Sequence, residues 1–238
     1  MKQAIIIGAS SGIGWELAVQ LAAKGYQLGL MARRSGCLEK LAGKLPGEHF
    51  IQVTDVSQAE QSQAELTALI EKMGDVDLIV VNSGVGNKER KLDWVVEREM
   101  IDVNVRGFAA MSLTSMNYFT QRGAGHLVGL SSCAAHFSAG VTPTYNATKA
   151  FASNYLNGLR SRAVRSKLPI TVTTIEPGFV ETPMVEGKPM WLAPLEKAVA
   201  QMVTGIEKGR DHIFITKRWR LVALLLDIMP NGLIRKFM

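Results

Sequence analysis

The stretch that decides the fold is Ala4-Ile5-Ile6-Ile7-Gly8-Ala9-Ser10-Ser11-Gly12-Ile13-Gly14. Its four apolar residues form the pattern of a buried strand, its glycines have the spacing GxxxGxG, and a helical pattern follows over 12–24. This is a variant of the Rossmann fingerprint, in which glycines tighten the turn and let the backbone approach a pyrophosphate. The stretch therefore predicts that a dinucleotide's phosphates bind at the start of the helix. The alternative is a glycine-rich turn that binds nothing.

Outward from this unit, short apolar runs alternate with longer helical patterns. The predicted strands are 4–7, 27–31, 50–53, 78–81, 125–130, 170–175 and 212–215. The predicted helices are 12–24, 37–44, 57–73, 92–121, 144–166 and 194–208, with a capping box at Ser57 and Glu60. Continuously apolar runs are typical of strands buried on both faces of a parallel sheet. We therefore expect one α/β Rossmann domain over 1–238, whose doubly wound, mostly parallel seven-stranded sheet has helices on both faces.

The composition excludes several classes of protein. With 238 residues, 47% of them hydrophobic, the chain can bury a full core. Cys37 and Cys133 cannot form a disulfide framework and lack the CxxC spacing of a metal site. The apolar runs 4–7 and 221–226 are too short for a secretion signal or a membrane span. We expect a cytoplasmic protein without a metal.

The net charge of +6 is unevenly distributed. The segment 217–238 has five basic residues and one acidic residue, Asp227, and so carries four of the six surplus charges. The rest of the chain is nearly neutral and shows no basic face interleaved with aromatic residues. Nucleic-acid binding is therefore not expected.

The end of the second predicted strand indicates which dinucleotide binds. An NAD site places a carboxylate there, whereas the 2′-phosphate of NADP is bound by arginine. The chain has Met31-Ala32-Arg33-Arg34 at this point. Two guanidiniums and no carboxylate favour NADP(H) over NAD(H); the alternative is that Arg33 and Arg34 are solvated surface residues.

Polar residues also follow the third and fourth predicted strands. Asp55-Val56 comes after the third strand and Asn82-Ser83-Gly84 after the fourth. Ligands of open α/β sheets bind along this edge. Taken alone, these residues fit turn formation equally well.

A second constellation carries acid–base chemistry. Tyr145 and Lys149 are four residues apart, on one face of a predicted helix, and Ser132 follows the fifth predicted strand. A nearby cation is expected to lower the pKa of the phenol toward the working range of a general acid. The YxxxK spacing alone is weak evidence for a catalytic site. The serine at the same edge of the sheet strengthens that evidence.

These motifs together resemble the short-chain dehydrogenase/reductase family, in its compact single-domain form, over residues 3–182. The resemblance implies a catalytic set of Asn104, Ser132, Tyr145 and Lys149. It also places Pro177, Gly178, Val180 and Thr182 at the nicotinamide. The full set expected to bind the cofactor is Gly8, Ser10, Ser11, Gly12, Ile13, Gly14, Arg33, Arg34, Asp55, Val56, Asn82, Ser83, Gly84, Tyr145, Lys149, Pro177, Gly178, Val180 and Thr182. The chain departs from the family pattern at Ile7, Val81 and Ser83, where the family has Thr, Asn and Ala.

The resemblance implies reversible hydride transfer between a carbonyl and a secondary alcohol. Tyr145 would protonate the substrate oxygen, Ser132 would donate a hydrogen bond to it, Lys149 would bind the ribose, and Asn104 would hold a water of a proton relay. It also implies a homodimer or homotetramer formed through the helices 92–121 and 144–166. A catalytically idle NADP-binding regulator on the same fold is the alternative.

Two segments remain for the substrate side. By position, 183–194 resembles the family's substrate lid, and Met184, Met190, Trp191 and Leu192 suggest a lipophilic substrate; a loop that only packs on the core is the alternative. The tail 217–238 predicts a short apolar helix stopped by Pro230. That helix would close over the substrate pocket or pack against another subunit. A less favoured alternative is that it lies on a membrane and anchors a lipid reductase.

Overall fold

Strand β1 (Gln3–Ile7) lies inside a sheet of seven strands, between β2 (Gln27–Ala32) and β4 (Leu78–Val81). The other strands are β3 (Phe50–Val53), β5 (Gly125–Leu130), β6 (Ile170–Pro177) and β7 (His212–Ile215). All neighbouring strands are parallel, in the order β3-β2-β1-β4-β5-β6-β7. The computed structural model describes residues 1–86, 92–138, 140, 142–185, 187 and 189–229. The predicted lid and tail lie partly outside these ranges.

Helices cover both faces of the sheet. They are α1 (Gly12–Ala23), α2 (Ser35–Ala42), α3 (Ala59–Met73), α4 (Trp94–Ile101), α5 (Phe108–Arg122), α6 (Pro143–Ser166), α7 (Leu195–Glu207) and α8 (Trp219–Ile228). Successive residues of β1 point to opposite faces. Ala4 and Ile6 therefore pack in the core formed with α1, α2 and α7, whereas Ile5 and Ile7 pack in the core formed with α3, α5 and α6. The doubly wound seven-stranded α/β fold expected from the sequence is confirmed.

The predicted helix 92–121 is not continuous. It divides into α4, a π-helical turn at Asp102–Gly107, and α5. A π turn adds a residue to the helical repeat and so changes which side chains face inward. Here it buries Asn104 between two regular helices.

The predicted capping box at Ser57 is wrong. Helix α3 begins two residues later, at Ala59, and Gln58 precedes it without a side-chain cap. The backbone N–H and the hydroxyl of Ser57 both donate to Asp55 Oδ1, at 3.0 and 2.8 Å. The carboxylate is the stronger acceptor, so it closes the turn before the helix instead.

Within the described ranges, no helix is long and apolar enough to cross a membrane.

Candidate active site

A cleft of about 870 Å³ opens at the carboxyl ends of the parallel strands. It is lined by the residues that end β1, β2, β4, β5 and β6, by one side of α6, and by the segment after β6. This is the edge where ligands of open α/β sheets bind. The predicted site residues line it except for Asn104 and Gly14, which contact the lining residues Val85 and Gly8.

The glycine loop is packed closely against the end of β4. A Cβ atom on Gly8, whose φ is +94°, would lie 2.7 Å from Ser83 N, and one on Gly14 would lie 2.1 Å from Gly8 O. The Asn82 side-chain amide donates to Gly8 O at 2.8 Å and fixes the loop. Only glycine allows this approach, and it leaves the start of α1 as a backbone cradle that fits a pyrophosphate.

The two arginines after β2 occupy different environments. Arg34 donates from Nη2 to the hydroxyls of Ser10 and Ser11, both at 2.8 Å, and so lies over the glycine loop. Arg33 Nη1 lies 3.6 Å from Glu99 Oε1 on α4, and both side chains are about half exposed. Both arginines line the cleft. The structure therefore places two cations beside the end of β2, and the carboxylate that pairs with Arg33 there, Glu99, comes from α4.

Asp55 and Val56 line the cleft after β3. Asp55 also closes the turn to Ser57, so the turn function considered from the sequence is present together with the position at the cleft. Val56 is 7% exposed.

Helix α6 carries Tyr145 and Lys149 on the face that borders the cleft. The Tyr145 hydroxyl is hydrogen-bonded to Ser132, which follows β5. Lys149 is 7% exposed, and its Nζ donates to Leu130 O at 3.3 Å. The three side chains predicted from separate motifs therefore converge at the end of β5.

Burial dominates the electrostatics of this pair. It raises the pKa of the Tyr145 phenol, which the hydrogen bond with Ser132 lowers only in part. It lowers the pKa of Lys149 to about 8. The expectation that Lys149 brings the tyrosine pKa down is not met, because loss of solvation at the buried phenol outweighs the effect of a cation 5.7 Å from its ring centre.

Asn104 supports the floor of the site from the π turn. Its Oδ1 accepts from Val85 N at 2.8 Å, and its Nδ2 donates to Val85 O at 2.8 Å and to Thr148 Oγ1 at 3.2 Å. A Cβ atom on Gly84 would lie 3.4 Å from both Asn104 Oδ1 and Lys149 Nζ. Asn104 therefore ties the segment after β4 to the helix that carries Tyr145 and Lys149.

The segment after β6 closes the far side of the cleft. Pro177 and Gly178 line it, and Val180 is held by a parallel bridge to Ala193. Thr182 lies near the glycine loop, because its Cγ2 would be 3.3 Å from a Cβ atom on Gly12. Of the apolar lid residues, Met184 lines the cleft, whereas Met190 is 68% exposed. Residues 186 and 188 of the lid lie outside the described ranges.

Trp219, the first residue of α8, is a cleft residue that the motifs did not assign to the site. It is 9% exposed and lines the cleft beside Phe179. No motif in the sequence assigns Trp219 to the site, because the residues that it packs against lie far from it along the chain. His136 turns toward Glu176, whereas its neighbour Phe137 lines the cleft.

The family model described as short chain dehydrogenase matches residues 2–193. An uncharacterized oxidoreductase of Myxococcus xanthus is 32% identical over 240 residues, which cover 98% of this chain and 94% of that protein. A short-chain dehydrogenase/reductase from Burkholderia phymatum in complex with NAD has a TM-score of 0.84 at 23% identity, covering 94% of this chain and 92% of that one. An alcohol dehydrogenase from the archaeon Thermococcus sibiricus, complexed with 5-hydroxy-NADP, has a TM-score of 0.78 at 27% identity. The match covers 90% of this chain and 95% of that one.

Proposed function

Because the chain is an oxidoreductase that belongs to the short-chain dehydrogenase/reductase family, we propose that it interconverts a lipophilic carbonyl compound and its secondary alcohol with NADP(H). The observation that carries this proposal is the convergence of Ser132, Tyr145 and Lys149 at one end of the cleft, opposite the glycine loop. A dinucleotide bound along the cleft would supply or accept the hydride at that end.

In the reductive direction Tyr145 gives its proton to the substrate oxygen. Burial keeps the phenol protonated at neutral pH, which is the form that reduction needs. The Ser132 hydroxyl donates to Pro177 O at 3.3 Å in this structure; it would turn its proton to the substrate oxygen and stabilise the negative charge that develops there. Lys149, with a pKa of about 8, is mostly an ammonium at pH 7, so it stabilises the phenolate that the transfer leaves and can pass a proton on to it.

Asn104 supports the same part of the site from the π turn. Its three hydrogen bonds to Val85 and Thr148 leave the amide fixed beside Lys149. We assign it the family's place in the proton relay between Lys149 and solvent.

The residues of the cleft fit a dinucleotide along its whole length. The backbone of Gly8, Gly12 and Gly14 with Ser10, Ser11 and Ile13 takes the pyrophosphate, and Asp55 with Val56 takes the adenine side. Asn82, Ser83 and Gly84, with Lys149, take the riboses. Pro177, Gly178, Val180 and Thr182 take the carboxamide of the nicotinamide.

The choice of NADP(H) rests on the end of β2. Similar solved structures hold NAD in one case and an NADP derivative in another, so the fold does not select the cofactor. In this chain Arg34 donates to the Ser10 hydroxyl, Arg33 lies near Glu99, and both side chains line the cleft. A 2′-phosphate between the two guanidiniums would gain charge-assisted hydrogen bonds that NAD lacks.

The substrate end of the cleft is apolar. Phe137, Phe179, Met184 and Trp219 line it, and these side chains favour a lipophilic ketone or aldehyde over a charged one. Exposed apolar residues on the outer helices, including Trp94 at 68% and Val95 at 63%, support the proposal of a homodimer or homotetramer.

A lipid reductase at a membrane surface is the second candidate, and the outer face of α8 favours it. Leu221, Leu224, Leu225 and Ile228 form an i, i+3, i+4, i+7 stripe, each between 55% and 72% exposed. Truncation of 217–238 should then abolish co-sedimentation with anionic liposomes. Unchanged sedimentation of the truncated protein would exclude this candidate, as would a full chain that stays in solution.

The proposed function is tested by oxidation of NADPH, and of NADH in parallel, with a panel of aliphatic and aromatic ketones. We expect turnover with apolar ketones and a higher kcat/KM for NADPH than for NADH. NADPH binding without turnover on any member of the panel would instead support the idle regulator.

A further inference from the structure

Helix α8 is attached to the substrate end of the cleft at both of its ends. Trp219 at its start lies against the segment after β6, where a Cβ atom on Gly178 would be 2.1 Å from the indole Nε1. Asp227, eight residues later, bonds through Oδ1 to His136 Nδ1 at 2.9 Å. His136 is four residues after Ser132, in the 3₁₀ turn Cys133–His136. The helix thus joins the segment after β6 to the 3₁₀ turn after β5, and both of these border the substrate end of the cleft.

Trp219 forms the centre of an aromatic wall. Its ring packs edge-on against Phe179 and Trp191, with centroid distances of 5.8 and 5.7 Å. The indole N–H is buried and has no hydrogen-bond partner among the described residues. Because the N–H packs over Gly178, the part of Trp219 that a substrate in the cleft would contact is the rest of the ring.

The contact between Asp227 and His136 is an ion pair. The second ring nitrogen, Nε2, lies 2.7 Å from Glu176 Oε2, so both ring nitrogens face carboxylate oxygens. Only the imidazolium has two donors. The hydrogen bond to Glu176 and the one to Asp227 together raise the pKa of His136 to about 9, against the effect of its own burial.

Glu176 supplies the fixed charge behind this pair. It is fully buried on β6, and it also receives His212 Nε2 at 2.9 Å and Ser153 Oγ at 2.6 Å. Burial alone would raise the pKa of Glu176, but these hydrogen bonds hold it at about 2. The carboxylate therefore remains charged at neutral pH and keeps His136 protonated. The imidazolium can then bind Asp227 of α8.

The remaining attachment of α8 is narrow. Only Trp219, Ala223 and Leu226 of the helix are buried, whereas the opposite stripe is exposed. A helix held by so few apolar contacts depends on the ion pair near its end for its position.

We propose that α8 is the substrate-binding wall of this enzyme, that Trp219 contacts the substrate, and that His136 and Asp227 are positioning residues that hold the helix against the cleft. The kinetic part of this proposal rests on the proposed function. Its structural part, the attachment of α8 by His136 and Asp227, does not.

The decisive variant is Asp227→Asn in the full-length protein. We expect KM for an apolar ketone to rise about tenfold, which corresponds to about 1.4 kcal/mol, with little change in kcat or in the dissociation constant of NADPH. Asp227→Glu, which keeps the carboxylate, should recover most of the loss. Asp75→Asn is the matched control, because Asp75 is an exposed carboxylate paired with Arg122 and precedes β4, at the edge of the sheet opposite the cleft.

Tryptophan fluorescence separates this proposal from the proposed function. Emission from Trp219, assigned by difference with Trp219→Phe, should shift to longer wavelength in Asp227→Asn even if no ketone is turned over. No turnover by the wild type together with this shift would refute the proposed function and leave the attachment of α8 supported. Unchanged emission in Asp227→Asn would overturn the proposal, and so would a shifted emission with an unchanged KM.

Discussion

The ammonium nitrogen of Lys149 lies 5.7 Å from the ring centre of Tyr145, and it donates to the carbonyl oxygen of Leu130 at 3.3 Å. Helix α6 and the end of β5 together therefore fix the cation beside the phenol. Lys149 is buried and Tyr145 is partly buried, and this loss of solvation moves their pKa values toward the neutral forms. The arrangement suits a phenol that gives up its proton only when a substrate oxygen takes it.

Tyr145→Phe should abolish most turnover without weakening the binding of NADPH. Removal of a positioned general acid costs about 10²–10⁴ in rate. Turnover is measured by NADPH oxidation, and binding is measured by the quenching of protein fluorescence. Activity near the wild-type rate would remove Tyr145 from its assigned role.

The rate of ketone reduction should fall as the pH rises through about 8. Burial lowers the pKa of Lys149 to this value, so the ammonium that supports proton return is present below it and lost above it. Lys149→Arg keeps the cation at all accessible pH values. The fall in rate at high pH should therefore disappear from the pH–rate profile of that variant, whatever its absolute rate. Lys167→Arg, at an exposed position, should retain the fall. A fall that persists in Lys149→Arg would assign the titration to another group.

Arg34→Ala should reduce the preference for NADPH over NADH. Loss of hydrogen bonds to a charged group costs about 1.5–3 kcal/mol, so the ratio of the two kcat/KM values should fall about 10- to 100-fold. Arg33→Ala should act in the same direction, since both arginines line the cleft. Arg165→Ala, on the exposed side of α6, serves as the control. An unchanged ratio in both cleft variants would show that the arginines are solvated surface residues.

Gly14→Ala should destabilise the protein, and Gly36→Ala should not. The added methyl at position 14 would meet the carbonyl oxygen of Gly8 at 2.1 Å, whereas the methyl at position 36 has open space. Overpacking of this kind costs about 1–3 kcal/mol. The free energy of unfolding from urea titration checks both variants. Equal stability of the two would contradict the close approach of the glycine loop to α1.

The contribution of His136 to stability should depend on pH in a defined direction. Its pKa rises from 6.5 in the unfolded chain to about 9 in the folded protein. The stabilisation is therefore complete below about 6.5 and is lost as the pH rises through about 9. The difference in unfolding free energy between the wild type and His136→Gln should shrink over this window. A difference that stays constant from pH 6 to about 10 would exclude a charged His136.

The pattern of the chain was sufficient to predict the sheet. All seven predicted strands are present, because most of them are rich in apolar residues that the sheet buries on both faces and because each is separated from the next by a recognisable helix or turn. Two predicted details of the helices, the capping box at Ser57 and the unbroken helix 92–121, are wrong, because competing local interactions decided them. Asp55 displaced Ser57 as the closing acceptor, and the π turn at Asp102–Gly107 divided a helix whose periodicity appeared uniform.

The sequence by itself determined the α/β fold and brought together the glycine loop, Ser132, Tyr145 and Lys149, since each belongs to a motif with fixed spacing at a strand end. Only the tertiary structure decided the rest of the substrate side. It placed Trp219 in the cleft. It also brought Asp227 into hydrogen-bond contact with His136, which lies 91 positions earlier in the chain. It also showed that burial raises the pKa of Tyr145. Spacing cannot reveal such effects, because solvation and long-range contact depend on what the whole folded chain encloses.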